Sequence, residues 1–320
     1  MNGHELLWGL PLISYLFLAG LGAGAMTISA SLVLRGGPQG VHFTFARWGA
    51  LIAAPTVILG TLLLILELGS FEAGHWFRWI NLFKTINLSP MSIGSWLLLI
   101  FVIHSLVYAY TFLSPLSGPG DKQDRLRRQL AWAGVPLGVA VAVYTGVLLG
   151  AMASRPFWNS PILALLFLVS AISTGIAAVL LAHALIHQRK GMDEPTIKRA
   201  RETGYLLNSS DTILIGFEFI VIFLFIMYAH LTVGSVKEAI SVIEFGGVLA
   251  PVFWFWVVIV GLLIPIAIEL YYIIPRLIHH QEFEPHGSIN YVVPIAVLVG
   301  GFMLRYVIVV AGQITFPIGL

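Results

Sequence analysis

Eight long apolar runs dominate this sequence and limit the folds available to it. They lie at about residues 10–34, 46–70, 93–115, 129–153, 161–187, 205–231, 247–274 and 291–316. Each run is longer than the ~20 residues that an α-helix needs to cross the hydrocarbon core of a bilayer. Inside lipid, a helix satisfies its own backbone hydrogen bonds, so the runs are typical of spanning helices. The sequence predicts an all-α integral membrane protein with eight transmembrane helices.

The amino-acid composition agrees with this fold and excludes several functions. Only 10% of the residues are charged, compared with ~25% in soluble domains. The formal net charge of +2 gives no reason to expect nucleic-acid binding. The sequence has no cysteine, so it offers no thiolate ligand for an iron–sulfur cluster or a zinc ion. We expect no metal site here, and any cluster must lie on a partner.

The lysines and arginines between the runs predict the orientation of the protein in the membrane. One side carries twelve of them: Arg35, Arg47, Lys122, Arg125, Arg127, Arg128, Arg189, Lys190, Lys198, Arg199, Arg201 and Arg276. The other side carries four: Arg78, Lys84, Arg155 and Lys237. Because positive connections stay in the cytoplasm, both termini are expected on the periplasmic or extracytoplasmic side of the inner membrane.

The first apolar run contains Gly20-Leu21-Gly22-Ala23-Gly24, which lies inside a continuous helix rather than after a strand. This context excludes a dinucleotide-binding turn and favours close helix packing. Gly146 and Gly150 form a second small-residue pair, which is expected to let the fourth span approach the first and bring Tyr144 near Tyr15. A faint internal pattern predicts two four-helix bundles, residues 1–155 and 156–320.

The connection Ser70–Ser92 is the longest on the extracytoplasmic side and is rich in aromatic residues. It suits a segment in the membrane interface, and we weigh two interpretations for it. In the functional interpretation it is a lid over a membrane site or a dock for a peripheral subunit, and in the other it is an ordinary aromatic belt.

Polar side chains within spans are costly and need an explanation. One group lies in the outer half of the membrane by residue count: Tyr15, Glu67, Ser92, Trp96, Tyr144, Trp158 and Asn159. Phenols, a carboxylate and indoles at one depth can bind a quinone head group and exchange its protons. The alternatives are a belt residue for Tyr15 and a water-exposed helix end for Glu67.

A resemblance to a known family rests on motifs spread over nearly the whole sequence. They are Tyr15–Ala25, Glu67-Leu68-Gly69, Pro90–Trp96, Tyr144–Gly150 with Trp158-Asn159, and Leu304-Arg305-Tyr306 with Ala311-Gly312-Gln313. Together they resemble the NrfD/PsrC family, the polysulfide-reductase-type quinone-reactive membrane subunits of bacterial respiratory complexes. The resemblance implies menaquinone or ubiquinone as substrate, with Glu67 and Tyr144 as the catalytic residues. It also implies a ferredoxin-like iron–sulfur partner with several clusters, joined by a molybdopterin or cytochrome subunit.

A second polar group lies deeper: His104, Asp211, Glu218 and Arg305. We interpret it as a proton relay, and the alternative is a structural ion pair between Glu218 and Arg305. Asp211, Glu269 and His183 are expected near inner helix ends and partly hydrated. His104 is the one clearly central histidine, so the sequence lacks the paired ligands of a b-type haem and the protein is expected to be haem-free.

The function that these observations favour is a membrane quinone/quinol oxidoreductase subunit in a respiratory complex, coupled to proton movement. Two alternatives stay open. A secondary transporter also combines eight spans with glycines and buried charges. A structural anchor with a vestigial site is the third possibility.

Overall fold

The computed structural model of the protein describes residues 8–38, 40–68, 80–84, 89–113, 121–186, 194–279 and 287–315. Most of the Ser70–Ser92 connection lies outside these ranges. In the described ranges the regular elements are all helical. They are α1 (Leu10–Gly36), α2 (Phe43–Leu68), α3 (Asn81–Lys84), α4 (Pro90–Tyr110), α5 (Asp121–Gly150), α6 (Ile162–Ile186), α7 (Glu194–Leu231), α8 (Ser235–Ile240), a π-helical segment (Val252–Leu263), α9 (Ile264–His279) and α10 (Ile289–Ile314).

Eight of the described helices are long and apolar enough to span a membrane, which confirms the predicted fold class. The π-helical segment and α9 together form one of these spans. Two helices begin well before the start that the apolar runs predicted: α5 at Asp121 rather than 129, and α7 at Glu194 rather than 205. Both extensions are rich in Lys, Arg, Gln and Glu, which favour helix and allow it to continue beyond the apolar run.

Helices α1 and α6 form the centre of the molecule. Helix α1 packs against α2, α5, α6 and α10, and α6 packs against α1, α2, α5, α7 and α10. They come closest where Gly24 faces Ala171 and Gly175. A Cβ atom on Gly24 would lie 1.9 Å from the carbonyl oxygen of Ala171, so no other residue fits there. The predicted close packing of the first span is confirmed at Gly24.

The second small-residue pair faces a different helix from the one expected. A Cβ atom on Gly146 would lie 2.6 Å from Cα of Ala164 on α6, and Gly150 faces Ser160. Helix α5 instead approaches α1 at Gly138, whose Cβ would lie 2.8 Å from the carbonyl oxygen of Ala23. The expectation that Gly146 and Gly150 pack on the first span is therefore wrong, although α5 and α1 are neighbours.

The π-helical segment brings its backbone against α10. A Cβ atom on Gly261 would lie 2.5 Å from Cα of Gly300, so two glycines allow the close approach. Such wide-turn segments occur often at functional sites. This one forms a wall of a polar cavity described below.

The first and last described helices of the protein meet at one end. The backbone N–H of Trp8 donates to Oε1 of Gln313 at 2.9 Å, which joins the start of α1 to the end of α10. We name this end of the helices the outer end, after the predicted orientation. The division into bundles at residue 155 stays a prediction.

Candidate functional site

Two buried tyrosines lie next to each other between the central helices. Tyr15 is on α1 and Tyr144 is on α5, and their phenol groups interact. Among the described residues, however, no hydrogen bond of normal geometry reaches the Tyr15 hydroxyl. A buried phenol normally has a hydrogen-bond partner. The Tyr15 hydroxyl thus lies beside the Tyr144 phenol without a hydrogen bond of normal geometry among the described residues, and the predicted proximity of the two tyrosines is confirmed.

The Tyr144 ring lies directly on the backbone of α4. A Cβ atom on Gly94 would lie 1.6 Å from Cζ and 1.9 Å from the hydroxyl oxygen of Tyr144. The start of α4 is fixed by Ser89, whose hydroxyl accepts from the N–H of Ser92 at 3.3 Å. Helix α4 thus provides a gap at Gly94 that the Tyr144 phenol fills.

Ser92 and Trp96 occupy the same end of α4 but differ in exposure. Ser92 is buried in the same helical turn as Gly94, whereas Trp96 is exposed and packs edge-on against Phe83 of α3 at 5.5 Å. Ser92 is therefore a packed residue two positions before Gly94, the residue that contacts Tyr144. Trp96 belongs to the contact between α4 and the Ser70–Ser92 connection.

Glu67 connects the end of α2 to the start of α1. Its Oε1 accepts the backbone N–H of Gly9 at 2.9 Å, which is one of the N–H groups that a helix start leaves unpaired. The side chain is half-buried. This contact holds the carboxylate at the outer helix ends, about 9 Å along α1 from Tyr15 at the standard helical rise.

Gln313 is part of the same end and was not among the predicted site residues. In addition to accepting from Trp8, it donates from Nε2 to the carbonyl oxygen of Trp8 at 3.0 Å. The Trp8 ring stacks on Trp158 with centroids 5.1 Å apart. The signal that could have identified Gln313 is a buried amide at a span end, since such a group needs partners for both its donor and its acceptor.

Trp158 forms a wall of this region and has no donor left for a ligand. Its indole N–H donates to the carbonyl oxygen of Ile308 at 2.7 Å, and indole has only this donor. Its ring fits beside Gly312, where a Cβ atom would lie 2.0 Å from the indole nitrogen. Asn159 is exposed in the following turn, with its N–H bonded to the carbonyl of Arg155 at 3.1 Å. The structure therefore encloses Trp158 and leaves Asn159 at the surface.

The deep charged residues lie between α6, α7 and α10. The Arg305 guanidinium donates to the Ser170 hydroxyl and to the carbonyl of Gly301 at 3.0 Å, and it lies 5.0 Å from the Phe167 ring. Glu218 interacts electrostatically with Arg305 and also with Ser170. Ser170 thus links the two charges, and the structure brings Glu218 and Arg305 together.

Asp211 and Glu269 are more buried than the sequence suggested. They are 1% and 4% exposed, so the expectation that they are partly hydrated is wrong. The Thr212 hydroxyl donates to Oε2 of Glu269 at 2.7 Å. Residues at nominal helix ends are buried here because α7 continues well beyond its apolar run.

His104 lies apart from this group. Its Nε2 is 3.0 Å from the carbonyl oxygen of Leu130 on α5, and its ring is near Tyr108, with centroids 6.5 Å apart. These contacts place it between α4 and α5, in the first half of the sequence. A relay through His104 stays a prediction, as does the absence of haem.

The fold and these sites define a polytopic, all-helical membrane protein with a buried phenol pair near one membrane surface. Comparison with known proteins identifies the family. The family described as "Polysulphide reductase, NrfD" matches residues 1–317, and the chain belongs to it.

Two relatives match this protein along nearly their whole length, and a third matches over part of it. A polysulfide reductase chain from Wolinella succinogenes is 31% identical, over 97% of this sequence and 95% of its own. Protein NrfD of Escherichia coli strain K12 is 31% identical, over 98% of this sequence and 96% of its own. A selenate reductase subunit from Mesobacillus selenatarsenatis is 24% identical, over 67% of this sequence and 56% of its own.

Proposed function

We propose that this protein is the quinone/quinol oxidoreductase subunit of a respiratory complex and exchanges electrons with an extracytoplasmic iron–sulfur partner. The family and the names of two relatives, a polysulfide reductase chain and a selenate reductase subunit, support a role in a reductase complex. The observation that carries the quinone assignment is the buried pair Tyr15–Tyr144, in which the Tyr15 hydroxyl makes no hydrogen bond of normal geometry among the described residues. A head group that carries two polar oxygens on a flat ring fits phenol donors beside indole walls.

The chemistry requires both electrons and protons to move. Oxidation of a quinol to a quinone releases two electrons, which pass to the partner, and two protons. Tyr15 and Tyr144 orient the head group by donating to its oxygens. Glu67 is at the outer helix ends, where a carboxylate can accept a released proton and pass it to water. Reduction of a quinone uses the same groups in reverse.

Phenylalanine substitutions of the two tyrosines test this assignment. Tyr15→Phe and Tyr144→Phe keep the rings and their packing but remove the hydroxyls. We expect each to leave the complex assembled and to weaken binding of a quinone analogue roughly 5- to 150-fold, which corresponds to ~1–3 kcal/mol for a buried hydrogen bond. Quinol turnover of the purified complex should fall together with the affinity for the analogue.

Tyr108→Phe is the matched control. Tyr108 is a fully buried phenol on α4, but its hydroxyl is already bonded to Ser29 at 3.1 Å. We expect this variant to bind the analogue like the wild type, even if it is less stable. Wild-type affinity in both Tyr15→Phe and Tyr144→Phe would place quinone binding elsewhere. The transporter alternative predicts no quinone-dependent electron transfer in any variant.

The proposed partners follow from the same assignment. Within the described ranges there is no group of three or more His, Cys, Asp or Glu side chains placed to hold a metal ion, and the sequence has no cysteine. Electrons must therefore leave through another subunit. We assign this role to a ferredoxin-like iron–sulfur subunit at the outer end, joined by a molybdopterin or cytochrome subunit, with the complex in the inner membrane.

A further inference from the structure

Three buried carboxyl groups lie in one region of the protein with one buried cation. Asp211 and Glu218 are seven residues apart on α7, so they share one helix face about 10 Å apart along the axis. Glu269 on α9 is next to Asp211, and Arg305 on α10 is next to Glu218. All four side chains are less than 5% exposed. The quinone chemistry described above uses none of them directly.

The charges of this group cannot all be present at once. One arginine can compensate one carboxylate, and each further buried carboxylate lacks a counter-charge. Burying an uncompensated charge costs several kcal/mol, and a carboxyl group avoids this cost by keeping its proton. Arg305 donates to Ser170, which lies beside Glu218, so Glu218 is the carboxyl with the nearest counter-charge. At least one of Asp211 and Glu269 must then keep its proton.

Other titratable groups on the neighbouring helices do not change this charge balance. Arg276 on α9 lies over the ring of Tyr205, 4.1 Å from its centroid, two helical turns from Glu269. His183 on α6 packs against the Phe45 ring at 4.1 Å. Lys237 and Glu238 are exposed on α8 at the outer end. Among the described residues, Arg305 is therefore the cation that this group contains.

Hydrogen bonding also indicates a shared proton. Oε2 of Glu269 accepts from Thr212, but Oε1 of Glu269 and Oδ1 of Asp211 have no hydrogen-bond partner among the described residues. Two neighbouring carboxyl groups of which at least one is protonated can satisfy these oxygens, directly or through a water. Two carboxylates would leave both oxygens unsatisfied and repel each other.

A small cavity lies beside Glu218. Its polar lining is Ser170, Ser173 and Thr174 of α6 and Glu218 of α7, and its other walls include Gly261 of the π-helical segment and Gly300 of α10. It leaves about 10 Å³ for the centre of a water molecule, which is room for about one water. The Ser173 hydroxyl is buried without a partner of normal geometry among the described residues, and it interacts with Asp211. A water here would lie between Ser173 and Glu218.

We propose that Asp211 and Glu269 form a proton-holding carboxyl pair that exchanges protons with Glu218 through Ser173 and one water in this cavity. In each transfer, an O–H bond of the pair breaks and an O–H bond forms on the Glu218 carboxylate, with the water relaying the proton. No electron moves. The ligand of this site is thus the proton, and it enters from the inner side, where Asp211 and Glu269 lie. Use of these protons by the quinone site rests on the proposed function.

Infrared spectroscopy of the purified protein tests the pair without any quinone. At neutral pH, the wild type should show a band of protonated carboxyl groups that shifts in heavy water. Glu269→Gln and Asp211→Asn should each remove part of this band. Glu238→Gln is the matched control, because this carboxyl is exposed, and it should leave the band unchanged. If Glu269→Gln fails to fold, Glu269→Asp is used in its place, and this variant should keep the band at a shifted position.

A wild-type spectrum without such a band would overturn the proposal, as would a band that none of these variants alters. Transfer is tested separately in vesicles by following proton uptake from the inner side during quinone reduction, the direction that consumes two protons. Asp211→Asn should slow this uptake at least tenfold while quinone-analogue binding stays at the wild-type value. Unchanged uptake would overturn the transfer step. If Tyr144→Phe loses analogue binding but keeps a normal carboxyl band, the proposed quinone site and the Asp211–Glu269 pair are independent of each other.

Discussion

Single residues in the candidate site differ in what they can offer to a ligand, and their types alone do not show it. Trp158 and Tyr15 were both predicted to contact a quinone. The indole N–H of Trp158 is committed to Ile308, whereas the Tyr15 hydroxyl has no partner of normal geometry among the described residues. The difference arises because Gly312 lets the indole reach a backbone carbonyl on α10. Hydrogen-bond commitment, rather than residue type, separates binding groups from walls.

Gly94→Ala should disturb the site through Tyr144. The added Cβ would lie 1.6 Å from the Tyr144 ring, so the phenol must leave its position. Because a side chain is able to move where backbone is not, we expect the complex to assemble while quinone-analogue affinity falls at least tenfold. The measurement is analogue binding to the purified complex. Gly216→Ala is the control, since no atom lies within 4 Å of its added Cβ. Normal binding by Gly94→Ala would show that the position of Tyr144 does not matter.

Much of the candidate site could be predicted residue by residue. Tyr15, Glu67 and Tyr144 could be identified from the sequence, because polar groups inside apolar runs are rare and need a reason. Gln313 was missed because its role depends on Trp8, 305 positions away in the sequence. Glu269 was treated as hydrated because its depth was counted from the ends of apolar runs. The contact with α7 that buries it is a tertiary feature, and hydropathy does not report it.

At the scale of elements, the central pair α1 and α6 packs against most of the other spanning helices. Their crossing at Gly24 and Gly175 depends on backbone contact without side chains. The eight spans were predictable because each apolar run is longer than a bilayer requires. Glycine spacing showed which helix faces lack side chains, but not which neighbouring helix packs on each face. The pair Gly146 and Gly150 was therefore assigned to the wrong helix. The π-helical segment could not be predicted, because its residues are apolar on every side. Such a run has no periodic pattern that distinguishes a π-helix from an α-helix.

Gly24→Ala should loosen this crossing. Its Cβ would lie 1.9 Å from the backbone oxygen of Ala171, and a backbone atom cannot move aside as a side chain can. We expect a loss of at least ~1–3 kcal/mol of stability, the usual cost of overpacking, seen as a lower thermal unfolding temperature in detergent. Gly20→Ala is the control, one turn away on the same face. Its Cβ would be 3.4 Å from the nearest atom, an ordinary contact. Equal stability of the two variants would show that the crossing tolerates side chains.

At the scale of the whole molecule, the two sites lie at different depths, as the positions of their residues along α1 and α7 indicate. The phenol pair and Glu67 are toward the outer end, where Trp8 and Gln313 join α1 to α10. Asp211 and Glu269 are toward the end where positive residues concentrate. Arg305 lies between them, with Gly20 of α1 in contact with its guanidinium, about 7.5 Å along α1 from Tyr15. Electron exchange at one surface and proton uptake from the other therefore fit one molecule.

This arrangement predicts that the iron–sulfur partner docks at the outer end, on the Ser70–Ser92 connection. The sequence has no cysteine, so a single introduced cysteine gives a unique crosslinking position. Lys84→Cys, exposed on α3, should capture the iron–sulfur subunit in the assembled complex, because α3 packs on α4 beside the proposed quinone site. Lys122→Cys, exposed at the opposite end on α5, is the matched control and should not capture it. Mass spectrometry of the crosslinked product identifies the subunit. Capture from Lys122→Cys alone would place the partner on the cytoplasmic side and overturn the assigned side of electron exchange, since electrons cannot pass from the outer site to a partner at the inner end without a cofactor between them.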